Sequence, residues 1–305
     1  MSTFTRRSFL LTTSLVAVTP LLATPVTSET TFRFCLNAGT LRGFNLDVVE
    51  EINVAAKASY TGIELWVDRL NDYVKRGGSL TDLKKRLGDN GLNFENAMAF
   101  FAWVVNDDAK RNNGIEQMKR EMTMVRELGC TRIAATASGA TNERLDNFTV
   151  LGERYRTILQ IGESMEVIPQ LEIWGGSKTL TTLSDAVAIA TAAGHPQAAL
   201  LLDAYHLYKG GSPFDGLRLL NGKALNVFHV NDYPSNPPRE TIQDKHRVYP
   251  GDGICPLKKI IKTLNEIGFT GALSFEIFNE EYIANDTPVG VATKGLEAMK
   301  KIVQT

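Results

Sequence analysis

Short apolar runs alternate with longer amphipathic segments along most of this chain, and no other feature constrains the fold as much. From residue 32 onward the apolar runs have the length and composition of buried β-strands. The segments between them repeat apolar residues at helical spacing. Eight strands are predicted in this way, at 32–38, 62–67, 93–99, 132–137, 168–174, 199–205, 225–231 and 271–278.

A helix is predicted after each of these strands. The predicted helices span 46–59, 80–90, 113–128, 143–165, 182–193, 215–221, 256–267 and 289–303. Strict alternation of strands and helices is typical of α/β proteins with a parallel sheet, and eight repeats predict a (β/α)₈ TIM barrel. Such a barrel needs about 250 residues, so residues 29–305 are expected to form a single domain. A doubly wound sheet is the alternative, but no GxGxxG motif follows the first strand.

Glycines and prolines support the predicted boundaries. Gly129, Gly194 and Gly268 each follow a helical segment, where a residue with left-handed backbone often ends the helix. Pro256 suits the first turn of a helix. Four prolines lie in the irregular stretch 232–252 after the seventh strand, which is expected to be a long loop over the active-site mouth.

Composition argues against several classes of protein. The 305 residues carry a formal net charge of −1 and scattered basic residues, so no nucleic-acid partner is expected. The three cysteines are far apart and form no CxxC motif, so buried thiols are expected instead of a disulfide framework.

The N-terminus has the pattern of a twin-arginine signal peptide. Arg6 and Arg7 precede an apolar stretch over 10–23, which is too short for a membrane-spanning helix. Small residues at 26–28 offer a cleavage site, and no cysteine follows the stretch to carry a lipid. Residues 1–28 therefore predict export of the folded precursor by the twin-arginine (Tat) machinery, to the periplasm or outside the cell, without a stable membrane anchor.

Polar side chains end four successive strands in the C-terminal half: Glu172, Asp203, His229 and Glu276. Carboxylates and imidazoles are costly at the ends of buried strands unless something pairs with them. In a barrel these strand ends surround one side of the mouth, where function resides. Three carboxylates and one imidazole favour one divalent metal ion, Mn²⁺ first, with Mg²⁺, Co²⁺ or Zn²⁺ as alternatives. Separate pairing of each acid with a basic residue is the competing interpretation.

Four further residues are predicted to contact substrate. His206 follows Asp203 by three positions, and Arg247 precedes a Pro-Gly-Asp-Gly turn that would hold its guanidinium over the pocket. Asp232 follows His229 by three positions and is predicted to orient a ligand or contact substrate. Glu64 is expected to line the pocket or to pair with a basic residue inside the barrel. Three tryptophans are candidate walls for a sugar ring or plain core: Trp66, Trp103 and Trp174.

Six segments carry a resemblance to the sugar phosphate isomerase/epimerase family, the xylose isomerase-like TIM barrels. They are GIELW at 62–66, LEI at 171–173, LLDAYH at 201–206, FHVND at 228–232, RVYPGDG at 247–253 and GALSFE at 271–276. The resemblance implies that Glu172, Asp203, His229 and Glu276 bind the metal and that His206 and Arg247 bind substrate oxygens. It also implies that Glu172 and Glu276 move protons.

One position departs from the family pattern. Ketose 3-epimerases of the family tend to carry an acid six residues after the first metal-binding glutamate, and here that residue is Lys178. The distant endonuclease IV relatives need more metal-binding histidines than the four of this chain.

These observations predict a metal-dependent isomerase or epimerase that abstracts an α-proton from a sugar or keto-sugar and passes through an enediolate. The alternative enzyme is a lyase or dehydratase, which would eliminate a β-substituent from a keto-sugar or a 3-keto-glycoside. The non-enzymatic alternative is an exported sugar-binding module. The sequence leaves open the sugar, the metal and whether the chain forms a homo-oligomer.

Overall fold

Eight parallel strands form the centre of the molecule. The structure, a computed structural model, describes Met1 and residues 32–304, so the predicted signal peptide lies outside the described residues. The strands pair in chain order, and β8 closes the barrel on β1. They are β1 (Arg33–Asn37), β2 (Gly62–Trp66), β3 (Asn93–Met98), β4 (Arg132–Ala135), β5 (Ile168–Glu172), β6 (Ala199–Asp203), β7 (Leu225–Val230) and β8 (Ala272–Phe275). The predicted (β/α)₈ barrel is confirmed.

Helices connect the strands, and their order differs in part from the prediction. The α-helices are α1 (Val48–Lys57), α2 (Val67–Lys75), α3 (Leu80–Asp89), α4 (Asp108–Glu127), α5 (Phe148–Met165), α6 (Leu183–Ala193), α7 (Ala204–Lys209), α8 (Leu257–Glu266), α9 (Glu280–Asn285) and α10 (Pro288–Val303). Short 3₁₀ helices span Ala38–Phe44, Phe214–Leu219, Gly222–Ala224 and Asp244–His246. Within the described part of the chain, no helix is both long and apolar enough to cross a bilayer.

Strict alternation was wrong in detail. The short helices α2, α7 and α9 were not predicted, because six to nine residues are too few for a clear helical period. The helix predicted at 215–221 is a 3₁₀ helix over Phe214–Leu219, where Gly216 lowers helix propensity and Pro213 precedes the first turn.

Local capping explains where several helices begin and end. Asp47 accepts hydrogen bonds from the backbone N–H groups of Val49 and Glu50, and so begins α1 with a capping box. The predicted left-handed residues Gly129, Gly194 and Gly268 have φ angles of 92°, 56° and 77°. These glycines end or follow their helices, as the sequence predicts.

Strand register places the ends of the last strands at one level. Asp203 of β6 pairs with His229 of β7, and His229 pairs with Ser274 of β8. Side chains from the carboxyl ends of these strands therefore meet at the barrel mouth. Below them, a small apolar cluster fills the barrel interior: Cys35, Met98, Ala134, Leu201, Val227 and Ala272. A larger core lies between the barrel and its helices.

Candidate active site at the mouth of the barrel

Three of the four predicted metal ligands lie together at the mouth. One ligand atom from each of Asp203, His229 and Glu276 lies within 4.8 Å of the others, and all three side chains are buried. Nδ1 of His229 is 3.5 Å from Oδ2 of Asp203 and 3.4 Å from Oε2 of Glu276. We call these three residues the ligand group.

The ligand group fits a divalent metal ion. Ligand atoms about 2.0–2.2 Å from one ion lie roughly 3 to 4 Å from each other, and the ligand group has this spacing. Nδ1 of His229 is buried and has no hydrogen-bond partner among the described residues. An unpartnered imidazole nitrogen facing two carboxylate oxygens is unfavourable unless a proton or a cation lies between them.

Glu172 lies beside this group on the wall of the same cavity. The side chain is buried, and Trp174 lines the same cavity. Oε2 of Glu172 has no hydrogen-bond partner in the described chain. Burial raises the pKa of Glu172 to about 8. The ligand group defined by distance does not include Glu172, so its role as a fourth ligand stays a prediction.

The guanidinium of Arg247 contacts two members of the ligand group. Nη1 donates to Oδ2 of Asp203 at 3.1 Å and to Oε2 of Glu276 at 2.9 Å. The side chain is only 1% exposed and lies between the rings of Tyr205 and Phe278, with its central carbon 4.5 and 5.1 Å from their centroids. The guanidinium therefore neutralises two of the three ligand-group residues from inside the cavity.

The carboxylate of Asp203 is held on both oxygens. Oδ1 accepts the backbone N–H of His206 at the start of α7, and Oδ2 accepts the amide N–H of Asn231 at 2.9 Å. Burial acts to raise the pKa of Asp203, but Arg247 and His206 bring it well below its usual range. Asp203 is therefore ionised and fixed in position at neutral pH.

His206 lies at the mouth, as predicted, and lines the cavity. Its Nε2 accepts a hydrogen bond from Nη2 of Arg247 at 3.1 Å. Burial lowers the pKa of His206. The carboxylate of Asp203 acts to raise this pKa, and the guanidinium of Arg247 acts to lower it further. A neutral imidazole has one acceptor nitrogen, and Arg247 occupies it, so any hydrogen bond from His206 to a substrate hydroxyl would be donated by Nδ1, which is 3.4 Å from the backbone N of Gly175.

Asp232 and Glu64, which were predicted to contact substrate, do not line the cavity. Both carboxylate oxygens of Asp232 accept backbone N–H groups, from Tyr233, Gly251 and Cys255, at 2.8 to 3.0 Å. The structure therefore uses Asp232 to fix the long loop after β7 and not to face the cavity. Glu64 is fully buried in the barrel beneath His229, and it does not line the cavity.

The cavity above the ligand group has a volume of about 800 Å³. One side is aromatic and includes two of the three predicted tryptophans, Trp66 and Trp174. Trp66 is held by an indole N–H bond to Asn37 at 2.8 Å and by Arg42 stacked 4.3 Å from its centroid. The third predicted tryptophan, Trp103, is fully buried in the core. An aromatic side facing polar and charged groups is suited to a polyhydroxylated ring.

Sequence reasoning missed three polar residues that build the site. Asn231 bonds to Asp203, Asp244 pairs with Nη2 of Arg247, and the amide of Asn279 donates to the backbone carbonyl of Arg247. Asn231 lies within the segment that resembles the family, two residues after His229, and that spacing was the available signal. Asp244 begins a three-residue 3₁₀ helix and Asn279 lies in the loop before α9, and neither segment has a sequence period that could place these side chains.

The fold and the site define a (β/α)₈ barrel with two carboxylates and a histidine grouped at the carboxyl ends of β6, β7 and β8. The family described as xylose isomerase-like TIM barrel matches residues 52–302. The chain belongs to this family, which confirms the resemblance inferred from the sequence.

Three curated relatives are enzymes with different reactions. The chain is 29% identical over 259 residues to an inosose isomerase of Bacillus velezensis, covering 82% of this chain and 90% of that protein. It is 26% identical to a ketose 3-epimerase of Arthrobacter globiformis, over 59% of this chain and 61% of the relative. It is 24% identical to a 3-dehydroshikimate dehydratase of Pseudomonas aeruginosa, over 82% of this chain but only 39% of the relative. The chain is therefore an enzyme.

A solved structure of the IolI protein with a bound zinc atom has the same fold. The two chains superpose with a TM-score of 0.81 at 24% identity, over 90% of this chain and 98% of the other. At this identity the likeness establishes the fold alone.

Proposed function

We propose that the protein is a metal-dependent isomerase or epimerase that acts on a sugar, keto-sugar or inosose by removing a proton next to a carbonyl. The observation that carries this proposal is the ligand group beside Glu172, whose free carboxylate oxygen lies in the same cavity. A carboxylate without a partner beside a cluster of metal-binding side chains is suited to proton transfer. Inosose isomerase and ketose 3-epimerase among the relatives support this class of reaction.

Each residue has a proposed role in this reaction. Asp203, His229 and Glu276 would hold one divalent ion, with Glu172 as the fourth ligand. Mn²⁺ is the ion that we favour. When bound, the ion supplies Lewis-acid polarisation of the substrate carbonyl. Glu172 and Glu276 remove and return the proton. Return to the same carbon from the other side gives epimerisation, and return to the neighbouring carbon gives isomerisation.

Two more residues orient the substrate. Arg247 is fixed by Asp203, Glu276 and Asp244 through its two Nη atoms, and its Nε–H, which has no partner in the described chain, is the group left to donate to a substrate oxygen. Nε2 of His206 is 3.1 Å from Nη2 of Arg247, Nδ1 is 3.4 Å from the backbone N of Gly175, and the residue lines the cavity. Trp66 and Trp174 provide the apolar wall against which one face of the ring packs.

Elimination is the second candidate reaction. One relative is a 3-dehydroshikimate dehydratase, and removal of an α-proton followed by loss of a β-substituent uses the same carboxylates. Lys178, which stands where ketose 3-epimerases carry an acid, has an exposed side chain here. The absence of this acid favours a lyase over a simple ketose 3-epimerase.

Product analysis tests the proposal. The purified protein loaded with Mn²⁺ is incubated with a panel of keto-sugars, inososes and 3-keto-glycosides, and the products are identified by mass spectrometry and NMR. Conserved substrate mass is expected for an isomerase or epimerase, whereas loss of water or of an aglycone identifies a lyase.

Matched variants connect the activity to the site. Glu276→Gln is expected to abolish turnover without unfolding the barrel, because it removes a carboxylate that both binds the ion and moves a proton. Glu281→Gln in α9 is the control, since Glu281 is exposed. Full activity of Glu276→Gln would contradict the proposed site.

We also propose that the protein is exported through the twin-arginine pathway to the periplasm or beyond. The Arg6-Arg7 pair and the apolar stretch after it support this location. Export in the folded state would let the precursor take up its metal ion before it leaves the cytoplasm.

A further inference from the structure

Glu64 is a buried carboxylate directly beneath the histidine of the ligand group. It lies in β2, its side chain is fully buried, and it does not line the cavity. Nε2 of His229 is 3.0 Å from Oε1 of Glu64 and 3.2 Å from Oε2. The two nitrogens of His229 therefore face opposite ways, Nε2 down to Glu64 and Nδ1 up to Asp203 and Glu276.

The other neighbours of Glu64 all donate hydrogen bonds to it. The amide of Asn96 donates to Oε2 at 2.8 Å, the amide of Asn37 donates to Oε1 at 3.3 Å, and the hydroxyl of Ser274 also donates to Oε1. None of these three donors carries a charge. With donors directed at both of its oxygens, Glu64 acts towards these neighbours only as an acceptor.

Further bonds fix the direction of both amides. The carbonyl oxygen of Asn96 accepts from the amide of Gln170 at 3.1 Å, and its NH₂ group faces Glu64. The carbonyl oxygen of Asn37 accepts from the backbone N–H of Gly39 and the indole N–H of Trp66, so its NH₂ group also faces Glu64. The three donors to Glu64 come from β1, β3 and β8, and they leave Glu64 no donor role.

This arrangement decides which nitrogen of His229 carries the proton. Because Glu64 only accepts, Nε2 must be the protonated nitrogen, and in the neutral ring the lone pair is then on Nδ1. Nδ1 is the atom that lies 3.4 to 3.5 Å from the two ligand-group carboxylates. The opposite tautomer would point two lone pairs at each other between His229 and Glu64.

We propose that Glu64, held by Asn37, Asn96 and Ser274, is a positioning residue that keeps His229 in the tautomer whose Nδ1 binds the metal ion. This inference rests on the proposed metal site and concerns how the barrel interior prepares that site. The competing interpretation is a purely structural role, in which Glu64 stabilises the fold without affecting metal affinity.

Metal titration of a matched pair of variants separates these interpretations. Mn²⁺ alone is titrated into wild-type protein, Glu64→Gln and Glu95→Gln, with bound ion measured by calorimetry and free ion by EPR. Loss of a carboxylate that bonds to the second nitrogen of a metal-binding histidine typically costs 10- to 100-fold in metal affinity, and a decrease of this size is expected for Glu64→Gln. Glu95 lies in the neighbouring strand β3 and pairs with Arg33 away from the site, so Glu95→Gln should bind Mn²⁺ within twofold of wild type.

A folded Glu64→Gln protein with wild-type Mn²⁺ affinity would overturn the inference and leave the proposed function intact. Absence of Mn²⁺ binding by wild-type protein would instead contradict the proposed metal site itself. Circular dichroism and thermal melting of the metal-free variants establish which of them are folded.

An NMR measurement on wild-type protein gives an answer that does not depend on the stability of a variant. The chain has four histidines, which makes selective ¹⁵N labelling practical. In the Zn²⁺-loaded protein, long-range ¹H–¹⁵N correlations should show His229 with a protonated, hydrogen-bonded Nε2 and a metal-bound Nδ1. A proton on Nδ1 with Nε2 bound to zinc would overturn the proposal.

Discussion

Replacement of Arg247 by methionine tests whether this guanidinium and the metal ion neutralise the same carboxylates. Methionine keeps most of the length and apolar contact of arginine between Tyr205 and Phe278, but removes the charge. Nη1 of Arg247 lies 2.9 to 3.1 Å from one oxygen each of Glu276 and Asp203, and all three side chains are buried. Without the guanidinium or a metal ion, these two oxygens, which also face Nδ1 of His229, repel each other.

The magnitude follows from the burial of the pair. Breaking a buried ion pair by removal of one partner costs about 3 to 5 kcal/mol. For a barrel of this size, that loss lowers the Tm of the metal-free protein by roughly 5 to 15 °C. A bound divalent ion restores positive charge at the same two oxygens, so Mn²⁺ should raise the Tm of Arg247→Met by several degrees more than that of wild type.

Thermal melting with and without saturating Mn²⁺ measures both effects. Arg42→Met is the matched control, because Arg42 also stacks on an aromatic ring and pairs with a carboxylate, that of Asp68. Its side chain is 33% exposed, against 1% for Arg247, and an exposed pair contributes about 0 to 1 kcal/mol. Equal Mn²⁺-induced shifts in wild type and Arg247→Met would refute the reasoning.

Three further predictions concern stability, substrate binding and export. Burial raises the pKa of Glu51 in α1 to about 8, so the folded state keeps a proton that the unfolded chain releases near pH 4.5, and wild-type stability falls as pH rises through this window. Glu51→Gln should therefore stabilise the protein by roughly 2 to 5 kcal/mol at pH 9 and by little at pH 4.5. Chemical unfolding at both pH values measures the difference in the free energy of unfolding between variant and wild type. A difference that does not change with pH would contradict the prediction. Trp66→Ala should raise KM several-fold with a smaller effect on kcat, because Trp66 forms the cavity wall and moves no proton; a loss confined to kcat in steady-state kinetics would speak against that role. Replacing Arg6 and Arg7 by lysine should retain the precursor in the cytoplasm, as measured by cell fractionation, whereas unchanged export would exclude the twin-arginine pathway.

The barrel could be predicted from sequence because its strands have a simple signature. A strand buried on both faces is a continuous apolar run, and all eight runs became strands within a few residues of the predicted ends. The short helices α2, α7 and α9 could not be predicted, since one or two turns carry no measurable period. The segment at 214–219 also shows that a helical pattern near Pro213 and Gly216 does not decide between a 3₁₀ helix and an α-helix.

The candidate site was predictable where strand position determines direction. Asp203, His229 and Glu276 meet because parallel strands in register bring their carboxyl ends to one level. Asp232 and Glu64 show the limit of this reasoning. The backbone donors of one loop hold Asp232, and Glu64, in the middle of β2, contacts His229 inside the barrel. The spacing of these residues along the chain does not predict either contact.

Deuterium incorporation from solvent is the most direct test of the central claim, which is metal-dependent removal of a proton next to a carbonyl. Wild-type protein and Glu172→Gln are incubated in D₂O with a keto-sugar or inosose that binds, with Mn²⁺ or with a chelator, and the α-position is followed by NMR. Exchange at one α-carbon is expected only for wild-type protein with Mn²⁺. Exchange at the same rate in the presence of chelator, or in Glu172→Gln, would contradict the account.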